Sequence, residues 1–153
     1  MLKLRGLYYI THIDNLPSIL KNGILSHRLI EDENISHTSI YDEKIIKRRR
    51  DIKTPDGRSL WEFANLYFQP RNAMLYRVVF FSNINIEDII IIGVRSSILK
   101  RKGIYITTGN AASYGTEILP GTEGSKRIKK IREETDREWW AYEDGSKRKL
   151  MAE

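Results

Sequence analysis

The chain has 153 residues, with 26 Lys and Arg against 20 Asp and Glu, giving a formal net charge of +6 and a pI of about 9.5. With 41% hydrophobic and 30% charged residues, the composition is that of an ordinary globular protein of one domain. The absence of cysteine excludes disulfides, a Cys-ligated metal and a thiol nucleophile.

The first third of the chain predicts a strand followed by helices. Residues 7–11 are aromatic and β-branched, which favours a strand. The apolar positions 16, 19 and 20 then predict a helix capped by Asp14 or Asn15 and ended by Gly23. Residues 24–38 are polar and mixed, whereas residues 40–50 predict a short helix with a strongly basic end.

The remainder predicts a loop, several strands and a final helix. Residues 51–58 contain Pro and Asp-Gly turn chemistry and predict a loop. Four apolar stretches follow, at 60–68, 74–83, 89–94 and 104–107, of which the last three and part of the first are predicted as strands. Residues 110–119 predict a loop entering a short helix, 120–124 a Gly/Pro-rich break, and 126–142 an exposed, charged helix.

The histidines and the apolar runs bear on cofactor and location. His12, His27 and His37 lack the spacing of a zinc hydrolase, so no metal is predicted. No apolar run approaches the roughly 20 residues of a membrane helix, and the start of the chain lacks the features of a secretory signal. We therefore expect a cytoplasmic protein with no membrane association.

Basic clusters at 47–50, 126–130 and 147–149 indicate a partner rich in phosphate. Clustered Lys and Arg release counterions from nucleic acids, and exposed aromatic rings stack on unpaired bases. A charge run considered alone is more often a solvated surface. Within the first cluster, Arg49 is a natural cation for an anionic ligand because its guanidinium donates in a fixed fork, although Arg48 and Arg50 compete on composition alone.

Two further features have a structural and a functional reading. His12, between a strand and a helix, is either a loop or capping residue or a donor to a ribose or diphosphate. Residues 66–76 place two aromatic segments around a polar Pro-Arg-Asn connection, which is either a bend with core aromatics or an aromatic wall for a planar ring. Nothing in spacing or periodicity distinguishes Glu153 from an inert terminal residue.

Ordered motifs along the chain nevertheless resemble one family, the DarT DNA ADP-ribosyltransferase toxins of bacterial toxin–antitoxin modules. The matching segments are YYITHIDNL with Ile19, Leu20 and Gly23, then Ser39-Ile40 and Arg48-Arg49, YFQPR with Met74-Leu75-Tyr76, TTGNAA at 107–112, and RKLMAE at 148–153. The resemblance implies the mixed α/β ADP-ribosyltransferase fold, with split, curved sheets, flanking helices and NAD bound between the sheets. It also implies transfer of ADP-ribose from NAD to a base, thymine in most members, in single-stranded DNA, and a macrodomain antitoxin of the DarG type as partner.

The resemblance also assigns roles by position. It implies Glu153 and Arg49 as the catalytic pair, in which the carboxylate stabilises the oxocarbenium-like ribose or accepts a proton, and the guanidinium stabilises the diphosphate and the charge developing on the base. The positions implied for NAD are Tyr9, Thr11, His12, Asn15, Gly23, Met74 and Tyr76. The positions implied for nucleic acid are Arg48, Arg50, Arg71, Asn110, Lys126 and Arg127.

Two departures from the family pattern carry their own expectations. Many members have His where this chain has Tyr9, which predicts a different contact to nicotinamide or its ribose. The family continues beyond the position of Glu153, so we expect residues 1–153 to form a single ADP-ribosyltransferase domain that lacks the C-terminal segment, with NAD binding favoured over turnover because catalysis needs a preorganised carboxylate.

Other functions fit the residues less specifically. An NAD-dependent RNA 2′-phosphotransferase would share the fold and would require RNA. A non-catalytic module for single-stranded nucleic acid would bind oligonucleotides with steep salt dependence and would not respond to NAD. The lack of a long heptad repeat or large apolar run predicts a monomer.

Overall fold

The computed structural model describes the backbone of residues 6–135 and the side chains of residues 6–129. Glu153, the Trp139-Trp140 pair and the basic cluster 147–149 lie outside these residues. The described strands are β1 (Leu7–His12), β2 (Ile89–Val94), β3 (Tyr105–Thr107) and β4 (Ile118–Pro120). The described α-helices are α1 (Leu16–Asn22), α2 (His27–Asp32), α3 (Glu43–Arg48), α4 (Ala73–Phe81) and α5 (Gly121–Thr135). Short 3₁₀ helices occupy Ile13–Asn15, Leu60–Glu62, Ile86–Asp88 and Ser96–Lys100.

The described strands form two small antiparallel sheets. In one, β1 pairs with β2 in a register that places Leu7 opposite Val94 and His12 opposite Ile89. In the other, β3 pairs with β4. Tyr67 extends the first sheet, because its backbone exchanges two 2.8 Å hydrogen bonds with Tyr8. Helices flank both sheets, which confirms the predicted mixed architecture of small sheets and surrounding helices.

Two apolar clusters hold these layers together. One joins β1 to β3 and α5 through Leu7, Phe68, Ile106 and Ile128. The other joins β1 to α4, and consists of Ile10, Ile40, Tyr67 and Val78. Because both clusters contain β1 side chains, this strand contributes to both parts of the core. No helix within residues 6–135 is long and apolar enough to cross a bilayer.

Several predicted elements are confirmed. The structure contains the predicted strands at β1, β2 and β3 and the helices α1 and α3. Gly23 ends α1 with a φ of +82°, a conformation that glycine adopts without steric cost. The predicted turn at 54–57 closes with a 2.8 Å bond from the Gly57 amide to the Thr54 carbonyl. Asn15, one of the two predicted caps of α1, occupies the N-cap position, but its side chain makes no bond to the helix.

The strand predicted at 74–83 is wrong, because this stretch forms α4. Its β-branched and aromatic residues favour a strand locally, but Asn72 caps a helix there by accepting a 3.0 Å bond from the Leu75 amide. In the helical conformation Met74, Leu75 and Val78 face the core cluster around Ile10. Tertiary packing therefore outweighs the local propensity. Helix α2 was not predicted; Ser26 caps it by accepting a bond from the Leu29 amide.

The region from 110 to 124 also differs from prediction. The helix expected at the end of 110–119 is absent there, and the segment ends in β4. The reason is tertiary. The Thr108 amide donates to the Glu117 carbonyl, and the Glu117 amide donates to the Thr108 hydroxyl. These two bonds hold the ends of the loop together, so that β3 and β4 pair. The break expected at 120–124 is instead the first turn of α5, since Gly121 and Gly124 let the helix approach β3 closely. Helix α5 is not wholly exposed, because Ile128 is buried.

Candidate functional site

A cavity of about 430 Å³ lies against β1, between the segment that contains α1, α2 and α3 and the helix α4. This volume is within the range of small-molecule sites. Aliphatic side chains form much of its wall, among them Ile19, Ile30, Ile35, Ile45 and Ile46. The polar groups described below interrupt this apolar wall, and such a combination suits a ligand with both ring and polar parts.

Arg49 is the buried cation of the cavity wall. It lies directly after α3, is 2% exposed, and its backbone amide donates to the Ile46 carbonyl at 3.0 Å. The Ser59 hydroxyl donates to the carbonyls of Arg49 at 3.3 Å and Arg50 at 2.8 Å. A guanidinium kept from water interacts more strongly with an anion than an exposed one does. The site therefore provides a fixed positive charge for an anionic ligand.

The end of β1 supplies polar groups to the same cavity. Tyr9 and Thr11 are two residues apart and so share one face of the strand, and both line the wall. Asn15 donates to the Thr11 hydroxyl at 3.0 Å and to the Thr38 carbonyl at 2.8 Å, and accepts from the Thr38 amide at 2.8 Å. Burial raises the pKa of the Tyr9 hydroxyl, so this group is a neutral donor at physiological pH. Asn15 thus ties the segment before α3 to β1 and closes one side of the cavity.

The remaining positions predicted for NAD divide between the cavity and the surface. Gly23 and Met74 line the cavity. His12 lies outside the wall, where its Nδ1 accepts from the Asp14 amide at 3.2 Å. Tyr76 also lies outside it, 46% exposed, with its ring centroid 4.7 Å from that of Phe80. The wall of the described cavity therefore brings together Tyr9, Thr11, Asn15, Gly23 and Met74 with Arg49.

The positions predicted for nucleic acid are mostly at the surface. Asn110 is the member that lines the cavity, and its Oδ1 accepts from the Ala112 amide at 2.8 Å. Arg50 pairs with Glu31, and Arg127 lies 3.8 Å from Glu117. The other three, Arg48, Arg71 and Lys126, have exposed side chains.

Sequence reasoning missed a group of aromatic residues in the same wall. The Tyr41 hydroxyl lies 2.9 Å from His37 Nε2 and 3.3 Å from His27 Nδ1. The His27 ring stacks on Trp61, with centroids 4.6 Å apart and planes inclined by 22°. Burial, and secondarily the charge of Arg49, lowers the pKa of His27 to about 4, so its imidazole is neutral at physiological pH. No spacing pattern links these positions, because only the fold brings them together.

Within the part of the chain that the structure describes, no group of three or more His, Asp or Glu side chains could hold a metal ion. The described wall instead offers a buried guanidinium, the neutral imidazole of His27, phenols, and hydroxyl and amide groups. Such groups bind phosphates and hydrogen-bond riboses or planar amide rings.

Comparison with known proteins places the chain in a family context. Residues 8–153 match the family described as DarT, ssDNA thymidine ADP-ribosyltransferase. The chain is 53% identical over 151 residues to a DNA ADP-ribosyl transferase–DNA ADP-ribosyl glycohydrolase fusion protein of Thermosipho africanus (strain H17ap60334), covering 99% of this chain and 38% of that protein. It thus spans well under half the length of this relative.

Solved structures have the same fold. The structure of Thermosipho africanus DarTG in complex with ADP-ribose matches with a TM-score of 0.83 and 50% identity, over 96% of this chain and 39% of that one. Thermus sp. 2.9 DarT in complex with ADP-ribosylated ssDNA matches with a TM-score of 0.76 and 24% identity, over 96% of this chain and 72% of that one. The same protein in complex with NAD+ matches with a TM-score of 0.70 and 22% identity, over 98% and 73% of the two chains. The described architecture is therefore the ADP-ribosyltransferase fold expected from the sequence.

Proposed function

Because the chain belongs to the DarT family, we propose that it transfers ADP-ribose from NAD to a thymine base in single-stranded DNA. The observation that carries this proposal is the buried Arg49 in the wall of a 430 Å³ cavity that Tyr9 and Thr11 of β1 also line. A buried, permanently charged guanidinium suits the diphosphate of a dinucleotide. The apolar part of the wall suits its planar rings.

In the proposed reaction, the bond between nicotinamide and ribose breaks as the thymine nitrogen attacks. Nicotinamide leaves with the bonding electrons, and the ribose carbon passes through an oxocarbenium-like state. A neutral thymine loses its proton during attack, and Arg49 stabilises the negative charge that develops on the base. We propose Glu153, which lies outside the described residues, as the carboxylate that stabilises the ribose cation or accepts this proton.

We extend the proposal to the other positions in the cavity. NAD would contact Tyr9, Thr11, Asn15, Gly23 and Met74. Asn110 would lie where the DNA strand enters the cavity. His12 and Tyr76 remain predictions for NAD, as do Arg48, Arg50, Arg71, Lys126 and Arg127 for DNA. We propose residues 1–153 as one ADP-ribosyltransferase domain, a macrodomain DNA ADP-ribosyl glycohydrolase as its partner, and a cytoplasmic monomer; the fusion relative supports the choice of partner.

The test is mass spectrometry of a mixed-sequence single-stranded DNA oligonucleotide after incubation with the protein and NAD. Parallel samples contain the duplex, an RNA of the same sequence, and DNA in which every thymine is replaced. We expect an ADP-ribose adduct on the thymine-containing single strand alone. Loss of the 2′-phosphate from an RNA that carries one would favour the phosphotransferase alternative, and binding without any adduct would favour the non-catalytic module.

The residue assignment is tested by substitution. Arg49→Ala should lower the transfer rate by about 100-fold or more, the scale of removing one group that stabilises a developing charge. Arg101→Ala removes an exposed arginine outside the cavity wall and should leave the rate unchanged. Glu153→Ala should resemble Arg49→Ala. Full activity of either variant, with melting temperature unchanged, would contradict the assigned role.

A further inference from the structure

A stack of planar groups adjoins the cavity wall next to Arg49. The guanidinium carbon of Arg50 lies 4.4 Å from the centroid of the Trp61 ring. The imidazole of His27 lies 4.6 Å from the same ring system, nearly parallel to it. Trp61 therefore contacts a cation that follows α3 and a neutral ring that begins α2, and it connects these two helices through its indole.

One carboxylate orients two members of this stack. Glu31 on α2 accepts from Arg50 Nη2 with one oxygen, and from the Trp61 indole nitrogen at 2.9 Å with the other. About half of each side chain of this ion pair is exposed, so its attraction alone contributes little to stability. Both bonds nevertheless go to the one planar carboxylate of Glu31, and this defines the angle between the Arg50 guanidinium and the Trp61 indole.

The stack is joined to Arg49 through the backbone. Ser59 donates to the Arg50 carbonyl, and the Leu60 amide donates to the Ile52 carbonyl at 3.0 Å. These bonds fasten the 3₁₀ helix Leu60–Glu62, which carries Trp61, to the chain immediately after Arg49. The segment that carries Trp61 is thus joined to the backbone from which the Arg49 side chain extends.

The other end of the stack is the cavity wall itself. His27 lines the cavity and contacts Tyr41 edge to face, with centroids 5.0 Å apart. Its Nδ1 faces the Tyr41 hydroxyl. The imidazole is therefore held between an indole face and a phenol edge, which leaves its orientation little freedom.

We propose that Glu31 and Trp61 are positioning residues of the proposed transferase: through the stack they hold His27 and Arg49 at a fixed spacing on the cavity wall. The inference rests on the proposed function for its catalytic consequence, but the spacing itself is independent of it. Neither residue lines the cavity. Their effect on a ligand inside the cavity would therefore pass through His27 and Arg49, which do line it.

The experiment compares Trp61→Ala and Trp61→Phe with a control on the same two elements. Arg28→Gln is the control, because Arg28 links α2 to the same 3₁₀ helix through Glu62 at 3.3 Å without contacting the stack. For each variant we would measure kcat and KM for NAD and for the oligonucleotide, the melting temperature, and the pKa of His27 by NMR. Three histidines make the NMR signals simple to assign.

We expect Trp61→Ala to lower kcat by about tenfold to a hundredfold, the scale of misplacing a catalytic group. The KM for the oligonucleotide should stay within about twofold, and the pKa of His27 should rise toward its ordinary value as water reaches the ring. Trp61→Phe keeps a ring against His27 and should recover most of kcat. Glu31→Gln should give a smaller loss, and Arg28→Gln none.

The proposal is overturned if Trp61→Ala lowers the melting temperature yet leaves kcat and the His27 pKa unchanged, or if Arg28→Gln has the same effects. If the wild-type protein transfers no ADP-ribose, the proposed function fails. The change in the His27 pKa on Trp61→Ala then still tests whether the stack holds His27 in place. If Trp61→Ala does not fold, Glu31→Gln replaces it, and a kcat equal to that of the wild type would then overturn the proposal.

Discussion

Arg49 and His27 lie on one cavity wall, and the charge of Arg49 affects the protonation of His27. Arg49 is always protonated, and its charge opposes a second positive charge nearby. Partial burial of His27 adds the cost of removing an imidazolium from water. Together these effects lower the pKa of His27 to about 4, whereas Tyr41 and Tyr9 are kept neutral because burial raises the pKa of each. Arg49 is therefore the buried positive charge of the wall, whereas Arg77, which also lines the cavity, pairs with Asp42.

A pH dependence of stability follows from this histidine. The folded pKa of about 4 is below the unfolded value of about 6.5, so the unfolded chain binds the extra proton between these pH values. The contribution of His27 to the free energy of unfolding should therefore be fully present above pH 6.5 and should decline as the pH falls toward 4. Allowing for partial exposure, we expect a loss of roughly 1 to 2 kcal/mol from this group. Urea unfolding at pH 7 and pH 5 measures it.

The control for this measurement is His27→Gln, which removes the titrating group. The variant should be less stable at pH 7 but should lose less stability between pH 7 and pH 5 than the wild type. The carboxylates contribute equally to both proteins and cancel in the comparison. Identical slopes in the two proteins would contradict the lowered pKa.

Helix α4 shows how a single cap decides an element. Asn72 is 7% exposed; it accepts from the Leu75 amide at 3.0 Å and donates to the Gln69 carbonyl at 3.1 Å. Asn72→Ala should lower the free energy of unfolding by about 1 to 2 kcal/mol, because it removes the cap and leaves buried backbone groups unpaired. Denaturant unfolding measures this loss, with Asn83→Ala as an exposed control. A loss no larger than that of the control would show that packing alone holds α4.

The contact between α5 and β3 depends on the absence of a side chain at Gly124. A Cβ at this position would lie less than 3.0 Å from the Cβ of Ile106, the most deeply buried residue of the core. Gly124→Ala should therefore lower stability by about 1 to 3 kcal/mol, despite the better helix propensity of alanine. Gly93→Ala is the control, because nothing lies within 4 Å of the position that its new methyl group would occupy. A stabilised Gly124→Ala protein would mean that α5 does not pack as described.

At the scale of the whole molecule, the net charge of +6 and the cavity that Arg49 lines predict two different responses to salt. The affinity for single-stranded DNA should fall steeply with salt, by about 0.7 log units per log unit of salt for each phosphate contact. NAD at about 100 times its Kd should stabilise the protein by roughly 2.7 kcal/mol, and so raise Tm by several degrees, with weaker salt dependence. Filter binding and thermal shift at two salt concentrations measure these responses.

Arg49→Ala is the control for the DNA-binding and thermal-shift measurements. It should abolish most of the NAD shift while leaving the salt slope of DNA binding nearly unchanged, because one buried charge makes few of the phosphate contacts. A protein that binds DNA with the expected slope but shows no shift with NAD would behave as a binding module rather than a transferase.

Local sequence alone determined the elements whose signals are short-range. The β-branched run of β1, the apolar spacing of α1 and the glycine that ends it all act within one strand or helix turn, and these predictions are confirmed. The family resemblance, and with it the fold and the expected role of Arg49, came from the order of motifs along the chain. Those motifs are linear features, so they can be found without knowing which residues meet in space.

Tertiary structure alone decided what depends on distant residues. The strand-like composition of α4 gives way to its cap and to the core around Ile10, and β4 exists because β3 pairs with it. His27 and Glu31 lie four residues apart on α2, but Trp61 is distant from both in the sequence, and only the fold brings its ring against His27 and its indole nitrogen to Glu31. Burial and proximity set the charge of such a group, and both are properties of the folded chain rather than of any segment of it.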